Sequence, residues 1–458
     1  MVILAAGQGK RMRSDLPKVA HLLAGRPLIG WVLAAVEPVA PDTTVVVVGH
    51  GADDVRPLLP DGVVVAVQDP QLGTGHATRV GLDAIPNLDP ADTVVILNGD
   101  MPLVTSSLLG RMAGLSEADL VMVTADLDDP TGYGRVLRGD DGAVASIVEQ
   151  VDATPEQLEI TEVNAGIYAL RAGDLLEALG QVSDENVQGE YYLTDVVGIL
   201  ATKGGRLEAV KASAQEVIGI NSQDQLAEAR RALQRRINTE LMESGVWMLD
   251  PERTYVDETV TVEPGARLYP GVHLEGETTV ATGAEVGPDV FVLDSTIGEG
   301  SRVWYSVLRG ATVGEGCEVG PFASLRPGTV LEDGARIGTF VEAKNVTLGE
   351  GAKALHLTYL GDATVGARTN IGAGTITCNY DGVSKHPTEI GEDAFIGSDT
   401  MLVAPVKIGD RAITGAGSVI SRDVSDGALA IERSEQREIA GYADRRQARK
   451  GKEEDTKD

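Results

Sequence analysis

Aliphatic residues recur every six positions between about Val260 and Val419. Val280, Val286 and Val292 form one run. Val313, Val319, Leu325 and Leu331 form a second, and Ile390, Ile396, Leu402 and Ile408 a third. Many are followed by glycine, as in Val286-Gly287, Ile297-Gly298, Ile337-Gly338 and Ile396-Gly397. This period matches neither a helix, at about 3.6 residues per turn, nor a strand that alternates between two faces. Hexapeptide repeats are the pattern of a parallel β-helix, with one aliphatic side chain per repeat pointing inward. Glycine or another small residue is expected at the tight corners. An irregular glycine-rich β domain is the weaker reading, because chance does not hold register through successive steps. Three hexapeptides per coil give roughly nine or ten coils. The rhythm breaks between Cys378 and Glu389, where Asn379 to Pro387 reads as a polar loop pushed out of the coil. Interrupted repeats are where function tends to sit.

The first 220 residues follow other rules. Val2-Ile3-Leu4 is a short apolar run ending in a glycine-rich loop, and Pro27 to Val39 is helical in pattern. Val45 to Val48, Val63 to Val67 and Thr93 to Leu97 are continuous apolar runs of the kind buried on both faces of a sheet. Helical stretches lie between them. The order predicts an α/β domain with a mainly parallel sheet. Ligands of such sheets bind beyond the carboxyl ends of the strands. Ser222 to Glu243 reads as one helix bridging the halves, with Leu226, Leu233, Ile237 and Leu241 on one face and Arg230, Arg231, Arg235 and Arg236 mostly on the other. The expected boundaries are 1–221, a linker helix over 222–243, the β-helix over 244–441, and a charged, disordered tail over 442–458.

Composition narrows the partners. A net charge of −30 and a pI near 4.5 argue against nucleic acid or an anionic membrane surface. An acidic protein that handles phosphates must then concentrate its cations locally. Two cysteines, Cys317 and Cys378, make no disulfide framework and suit a reducing compartment. No apolar run is long enough to span a membrane, and the N-terminus lacks the order of a signal peptide. A cytoplasmic setting is expected. Glycine is in excess at 55 residues, and the repeat half supplies much of that excess.

The strand ends carry the candidate chemistry. Gly7-Gln8-Gly9-Lys10-Arg11-Met12-Arg13 follows the first strand, with Lys18 close behind. Backbone N–H groups of such a loop can approach phosphate oxygens, and Lys10, Arg11 and Lys18 supply charge. The loop is neither a P-loop nor a dinucleotide fingerprint. Asn98-Gly99-Asp100 follows the third long strand. Asp100 is placed either to hold Mg²⁺ or to cap the next segment. His76, in the polar loop Gln68 to His76, reads as a polar residue at a helix start. Gly132-Tyr133-Gly134-Arg135, Glu149 and Asn164 suit sugar hydroxyls and ordinary turns equally.

Leu4-Ala5-Ala6-Gly7, Arg11-Met12 and Leu16-Pro17-Lys18 together resemble the opening of the sugar-nucleotide pyrophosphorylases. Gln71 to His76, the Gly132–Arg135 turn, Leu325-Arg326-Pro327-Gly328, His356 to Asp362 and Asn370 to Gly382 narrow the match. Nearly the whole chain except the tail resembles the bacterial bifunctional N-acetylglucosamine-1-phosphate uridyltransferase / glucosamine-1-phosphate N-acetyltransferase family. That resemblance implies a Rossmann-like nucleotidyltransferase domain, a linker helix and a left-handed parallel β-helix, assembled as a homotrimer with acetyl-CoA sites between neighbouring helices. It also implies a few more residues before the first strand than this chain has.

The implied chemistry is two transfers that make UDP-N-acetylglucosamine, a precursor for peptidoglycan and other cell-envelope polymers. In the first domain the resemblance assigns Mg²⁺ to Asp100 and Asn221, and phosphate neutralisation to Lys18 and Arg11. Leu4, Ala5, Ala6, Gly7, Lys18, Gln68, Gly73 and Thr74 bind the uridine nucleotide of UTP. Gly134, Glu149, Asn164 and Asn221 line the sugar side, where N-acetylglucosamine-1-phosphate binds. Asn98 has no assigned role. In the β-helix His356 is the base. Glu342, Arg326, Lys344, Tyr359 and Asn370 hold glucosamine-1-phosphate, and Ala373, Asn379, Tyr380, Ser398, Ala416 and Arg433 contact acetyl-CoA or shape its site. Asn379-Tyr380 is also expected to orient His356 or the thioester carbonyl. A neutral histidine suits removal of an amine proton near neutral pH. The alternatives are a nucleotidyltransferase whose β-helix only assembles or regulates, and a non-enzymatic β-helical scaffold. The motifs around His356 and Asn370–Tyr380 count against the first, and Asp100, Lys18 and the interrupted coil against the second.

Overall fold

The computed structural model describes residues 1–7, 9–114 and 117–447. They divide into two units. One comprises Met1–Glu243 with Tyr255–Val260, the other Ser244–Thr254 with the chain from Thr261 onward.

In the first unit Val2–Ala5 lies at the middle of a mixed sheet. It pairs in parallel with Val45–Val48 on one side and Thr93–Asn98 on the other. Val64–Val67 extends the parallel part. Glu162–Arg171 runs antiparallel between Thr93–Asn98 and Leu120–Asp126, and Leu207–Lys211 closes that edge. The continuous valine run is explained by two cores. Val46 and Val48 pack with Ile3, Leu97 and Ile29 on one face. Val45 and Val47 pack with Val2, Ile96 and Leu82 on the other. Helices Leu28–Val36, Thr74–Asp83, Ser106–Ala113 and Asp195–Thr202 cover these faces. The long helix is Gln223–Glu243, with Leu226, Leu233 and Ile237 buried. The same face buries Gln234 and Asn238, and the Gln234 amide donates to the Asn238 side chain at 3.1 Å and to the Val256 carbonyl at 3.2 Å.

The second unit is a parallel β-helix. Among the described residues eleven short strands stack along one face, from Trp247–Met248 to Leu429–Ala430. The aliphatics of the six-residue period fill its interior: Val286, Ile297, Val303, Val319 and Ile396 are fully buried. The polar interruption lies between strands Ile376–Cys378 and Thr388–Ile390. Facing charges alternate along the coils, with Glu285 between Arg267 and Arg302 at 3.8 Å and Glu318 at 3.7 Å from Arg336. Such exposed pairs contribute about 0–1 kcal/mol each.

The glycines serve two ends. Corners, as expected, are one: Gly283, Gly287, Gly300, Gly316 and Gly334 have left-handed backbone, with φ of 69°, 103°, 64°, 61° and 69°. Gly298, Gly338, Gly366 and Gly397 do not have left-handed backbone. They allow the neighbouring coil to come close: a Cβ on Gly338 would lie 2.1 Å from the Leu355 carbonyl oxygen, and one on Gly366 2.4 Å from the Gly391 carbonyl carbon. One column of left-handed corners instead carries Tyr305, Phe322, Phe340 and Leu357, with φ of 43°, 59°, 57° and 48°. The expected disordered tail divides: residues 442–447 form an exposed helical turn, and 448–458 lie outside the described residues.

Candidate active sites

The first strand sets the first site. Beyond its end, Gly99 donates to the Leu4 carbonyl at 2.8 Å, so Val2–Ala5 and Thr93–Asn98 stay side by side to their exits. The loop after Ala6 folds against Lys18: a Cβ on Gly9, at φ 58°, would lie 2.9 Å from the Lys18 Cβ. Lys18 starts a 3₁₀ turn after Pro17. Its Nζ donates to Asp100 Oδ2 and, at 2.9 Å, to Asn221 Oδ1. The Lys18 and Asp100 side chains are only 13% exposed. Asp100 is tied to Asn221 through the backbone as well, since Ile220 donates to the Asp100 carbonyl at 2.9 Å. Asp100 caps no helix; the next one starts at Ser106 and is capped by Thr105.

These residues edge a cavity of about 730 Å³. Leu4, Ala5, Ala6, Gly7 and Arg11 line it on the side of the first strand, and Gln68, Gly73 and Thr74 on another. Buried Gln68 donates to the Gly73 carbonyl at 3.0 Å and lies 3.1 Å from His76 Nδ1. Gly73 has φ 103°, and a Cβ there would lie 2.7 Å from the Tyr191 carbonyl oxygen. The Thr74 hydroxyl accepts from Leu193 N–H at 3.0 Å. His76 lies in the first turn of helix Thr74–Asp83. Gln8 and the Lys10 side chain lie outside the described residues.

Gly134, Glu149 and Asn164 also line the cavity. Asn164 N–H donates to the Gly134 carbonyl at 2.9 Å, and the strand register shifts between Asn164 and Tyr168. Glu149 accepts from the Thr194 hydroxyl at 3.1 Å. Burial pushes its carboxyl above the usual range, with Asp152 and Asp195 adding to the effect against the Thr194 hydrogen bond. Among the lining residues without an assigned role, Asn98 and Thr194 make the contacts that matter most here. Asn98 faces Gly166 so closely that a Cβ there would lie 2.5 Å from its amide nitrogen, and its place at a strand exit was the available signal. Thr194 carries no motif. It is found only through its contact with Glu149.

No cluster of three or more histidine, cysteine or acidic residues suited to a metal occurs among the described residues. The donor set at Asp100 and Asn221 nevertheless fits a hard cation. A carboxylate and an amide oxygen converge on one position, and the Lys18 ammonium stands there as the positive charge. Mg²⁺ is commonly held by one or two protein oxygens plus phosphates and water.

In the β-helix, register does the positioning. Ser324 pairs with Glu342 and Glu342 with Tyr359. The same stacking sets Arg326 beside Lys344, and Lys344 pairs with Gly361. Arg326 donates to Glu342 at 2.8 Å. Lys344 is held below its ordinary range by adjacent Lys385, with Arg326 contributing. Lys385 was missed because it lies in the interrupting loop, away from any repeat position. That loop is held by its own bonds: Asp381 accepts from Val383 and Ser384 N–H at 2.7 Å each and lies 2.8 Å from the His386 ring. Tyr380 is exposed.

His356 ends one face of its coil and Tyr359 begins the next, with Leu357 turning the corner between them. His356 is exposed and pairs with Thr339 on the preceding coil. Ala354 pairs with Ile371, Asn370 with Phe395 and Phe395 with Ile413. Continued by a few residues, that register aligns His356, Ala373, Ser398 and Ala416 in one column. Asp399 N–H donates to Ala373 at 2.7 Å, Gly417 N–H to Ser398 at 2.8 Å, and the Arg433 guanidinium to Ala416 at 2.8 Å. Asn370 begins the strand that precedes Ala373.

Two family models match the chain. The MobA-like NTP transferase domain covers residues 1–184, and the bacterial transferase hexapeptide (six repeats) covers residues 387–422. The bifunctional protein GlmU of Streptomyces coelicolor is 49% identical over 455 residues, which is 97% of this chain and 94% of that protein. The protein of the same name from Kineococcus radiotolerans is 48% identical over 96% of this chain and 91% of its own length. That of Caldanaerobacter subterraneus is 44% identical over 97% of both. Likeness of this depth runs through both units, and the chain belongs to the family of the bifunctional protein GlmU.

Proposed function

We propose that the chain makes UDP-N-acetylglucosamine by two transfers, acetylation of glucosamine-1-phosphate in the second unit and uridylylation of the product in the first. The observation that carries this reading is the presence of two separate clusters, each suited to one transfer, in a chain related to bifunctional proteins along nearly all its length. The uridyltransferase is assigned to residues 1–221, the linker to 222–243, the acetyltransferase to 244–441 and a tail to 442–458.

Uridylyl transfer joins a sugar-1-phosphate oxygen to the α-phosphorus of UTP and breaks the bond to pyrophosphate. The nucleophile is already an anion, so the site needs alignment and neutralisation rather than a strong base. Lys18 and Arg11 supply positive charge at the cavity wall, and the backbone after Leu4 approaches the phosphates. Gln68, Gly73 and Thr74 bind the uridine nucleotide, while Gly134, Glu149, Asn164 and Asn221 face the sugar. Asp100 and Asn221 would hold Mg²⁺, which supplies charge neutralisation at the phosphates.

Acetyl transfer forms a C–N bond and breaks the thioester C–S bond of acetyl-CoA. His356 takes a proton from the attacking 2-amine, and the departing CoA sulfur takes up a proton to leave as thiol. Arg326, Lys344 and Lys385 attract the sugar phosphate. Glu342, Tyr359 and Asn370 hold the sugar. Ala373, Ser398, Ala416 and Arg433 form the acetyl-CoA column, with Asn379 and Tyr380 beside it. The assembly is a homotrimer. In its support, Tyr305, Phe322, Phe340 and Leu357 form an exposed apolar column, with Phe322 and Phe340 stacked at 5.5 Å. No helix among the described residues is long and apolar enough to cross a membrane, and a cytoplasmic setting fits the chemistry.

Two assays test the reading. Glucosamine-1-phosphate with acetyl-CoA releases free CoA thiol. N-acetylglucosamine-1-phosphate with UTP and Mg²⁺ releases pyrophosphate. Asp100→Ala is expected to lower only the second, by about 100-fold or more. His356→Ala is expected to lower only the first, by about 100-fold or more. Loss of both activities in either variant overturns the assignment of two independent sites.

A further inference from the structure

Asp362 belongs to none of the residue sets assigned above. It sits at a left-handed corner, φ 49°, on the coil between Asn345 and Asn379. One carboxylate oxygen accepts from the Asn345 amide at 2.7 Å, the other from the Asn379 amide at 2.6 Å. A carboxylate only accepts, so both amides must present nitrogen to it. This settles the orientation of the buried Asn379 amide and leaves its oxygen to face elsewhere. Over the adjacent Gly361 two side chains converge: a Cβ there would lie 2.4 Å from the Tyr359 hydroxyl and 2.7 Å from the Asn379 amide nitrogen. A residue of the sugar-phosphate set thus meets one of the acetyl-CoA set, and Asp362 anchors that junction. Burial alone would push the Asp362 carboxyl up. The two amide bonds, with Lys385 and Lys344 nearby, outweigh burial and keep it charged.

We propose that Asp362 is a positioning residue for acetyl transfer. It clamps the Asn379 amide so that the amide oxygen accepts an N–H of the bound substrates where donor and acceptor meet. The inference rests on the acetyltransferase reading above. Asp362→Asn separates this role from a structural one. Asparagine keeps the size and tolerates the left-handed corner. Its own amide nitrogen then opposes one of the two amides, and Asn379 is free to turn over. Loss of the negative charge beside Lys344 and Lys385 does not weaken the attraction for a sugar phosphate.

The full-length chain is assayed for CoA release, with pyrophosphate release measured on the same preparation. The expected result for Asp362→Asn is a kcat lower by about tenfold or more, with KM for glucosamine-1-phosphate unchanged or lower. Pyrophosphate release stays at the wild-type rate. Asn379→Ala loses as much kcat, and the double variant loses no more than the worse single one. A kcat within twofold of wild type overturns the proposal, as does a double variant that loses the product of the single effects. If Asp362→Asn does not fold, the contrast between the amides decides: Asn379→Ala lowers kcat and Asn345→Ala does not, and equal effects overturn the proposal. A wild-type chain that releases no CoA sinks the acetyltransferase reading itself, an outcome distinct from all of these.

Discussion

In the first unit Lys18 joins Asp100 and Asn221 across 82 and 203 residues of sequence. In the second, Arg326, Lys344 and Gly361 follow one another coil by coil. The first site is held by tertiary contacts between the ends of unrelated segments, so sequence spacing says nothing about it. The second is held by register, so spacing says almost everything. The two should fail differently. At several positions of the α/β unit, as at Gly30 and Gly81, an added Cβ meets side chains that can shift, although Gly73 meets the Tyr191 backbone. In the β-helix an added Cβ at Gly338, Gly366 or Gly372 meets the backbone of the neighbouring coil and displaces the columns above and below.

Matched glycine substitutions give the largest effect and test this contrast directly. A Cβ on Gly338 lies 2.1 Å from the Leu355 carbonyl oxygen and 2.8 Å from the Leu355 Cα, neither of which can rotate away. Gly338→Ala is expected to destabilise the second unit by about 3 kcal/mol or more, read from denaturant unfolding. Gly99 is equally close to a site, but a Cβ there meets its neighbours at longer range, the end of Ile29 at 3.1 Å, the Ala5 Cβ at 3.2 Å and the Leu4 carbonyl oxygen at 3.3 Å. Gly99→Ala is expected to cost about 1 kcal/mol. Equal costs would break the comparison.

A smaller effect is expected at Cys378. The pairing of Tyr359 with Ile376 carries Gly361 to the level of Cys378, which puts this thiol in the column of Arg326 and Lys344. It is half-buried, and burial pushes its pKa up, so alkylation is slow at neutral pH and faster in mild alkali. The modified protein is expected to lose several-fold in acetylation and nothing in uridylylation. A parallel fall in both, measured by the CoA and pyrophosphate assays, removes Cys378 from the acetyl site.

The contrast also explains what could be read from the residues alone. The six-residue period exposed the β-helix and its buried aliphatics because each coil repeats the same environment. The break after Cys378 was legible for the same reason. The role of the glycines was legible only in part: corners such as Gly283 and Gly300 were, while the close approach between coils at Gly338 and Gly366 was not, since both demands select glycine. In the first unit the valine runs revealed strands buried on both faces, and strand exits pointed to Asp100. Asn98 was marked only by its strand exit, and Thr194 stayed silent, because its importance comes from a neighbour distant in sequence. Lys385 and Asp362 were unread because they lie outside the inward-facing positions that carry the period.

The smallest effect sharpens the description of the tertiary site. Glu149 is buried, and its folded pKa lies above its ordinary value of 4.5. Its carboxyl therefore holds a proton to higher pH in the fold than in the unfolded chain. The associated stability is fully present below the unfolded pKa and is lost as pH rises through the folded one. At neutral pH the buried charge is a net cost that the Thr194 hydroxyl offsets only in part. Glu149→Gln removes the charge and keeps an oxygen for Thr194, so the variant should melt about 2–4 °C higher near neutral pH. The gain should shrink towards zero as pH falls through about 4, where the wild-type carboxyl is protonated in both states. Thermal unfolding across that range decides it. A gain independent of pH would trace the effect to packing, and no gain at neutral pH would mean that Thr194 and water already compensate the charge. In the β-helix the corresponding carboxylates, Glu342 with Arg326 and Asp362 with its two amides, have close partners, and amide substitution there should lower stability rather than raise it.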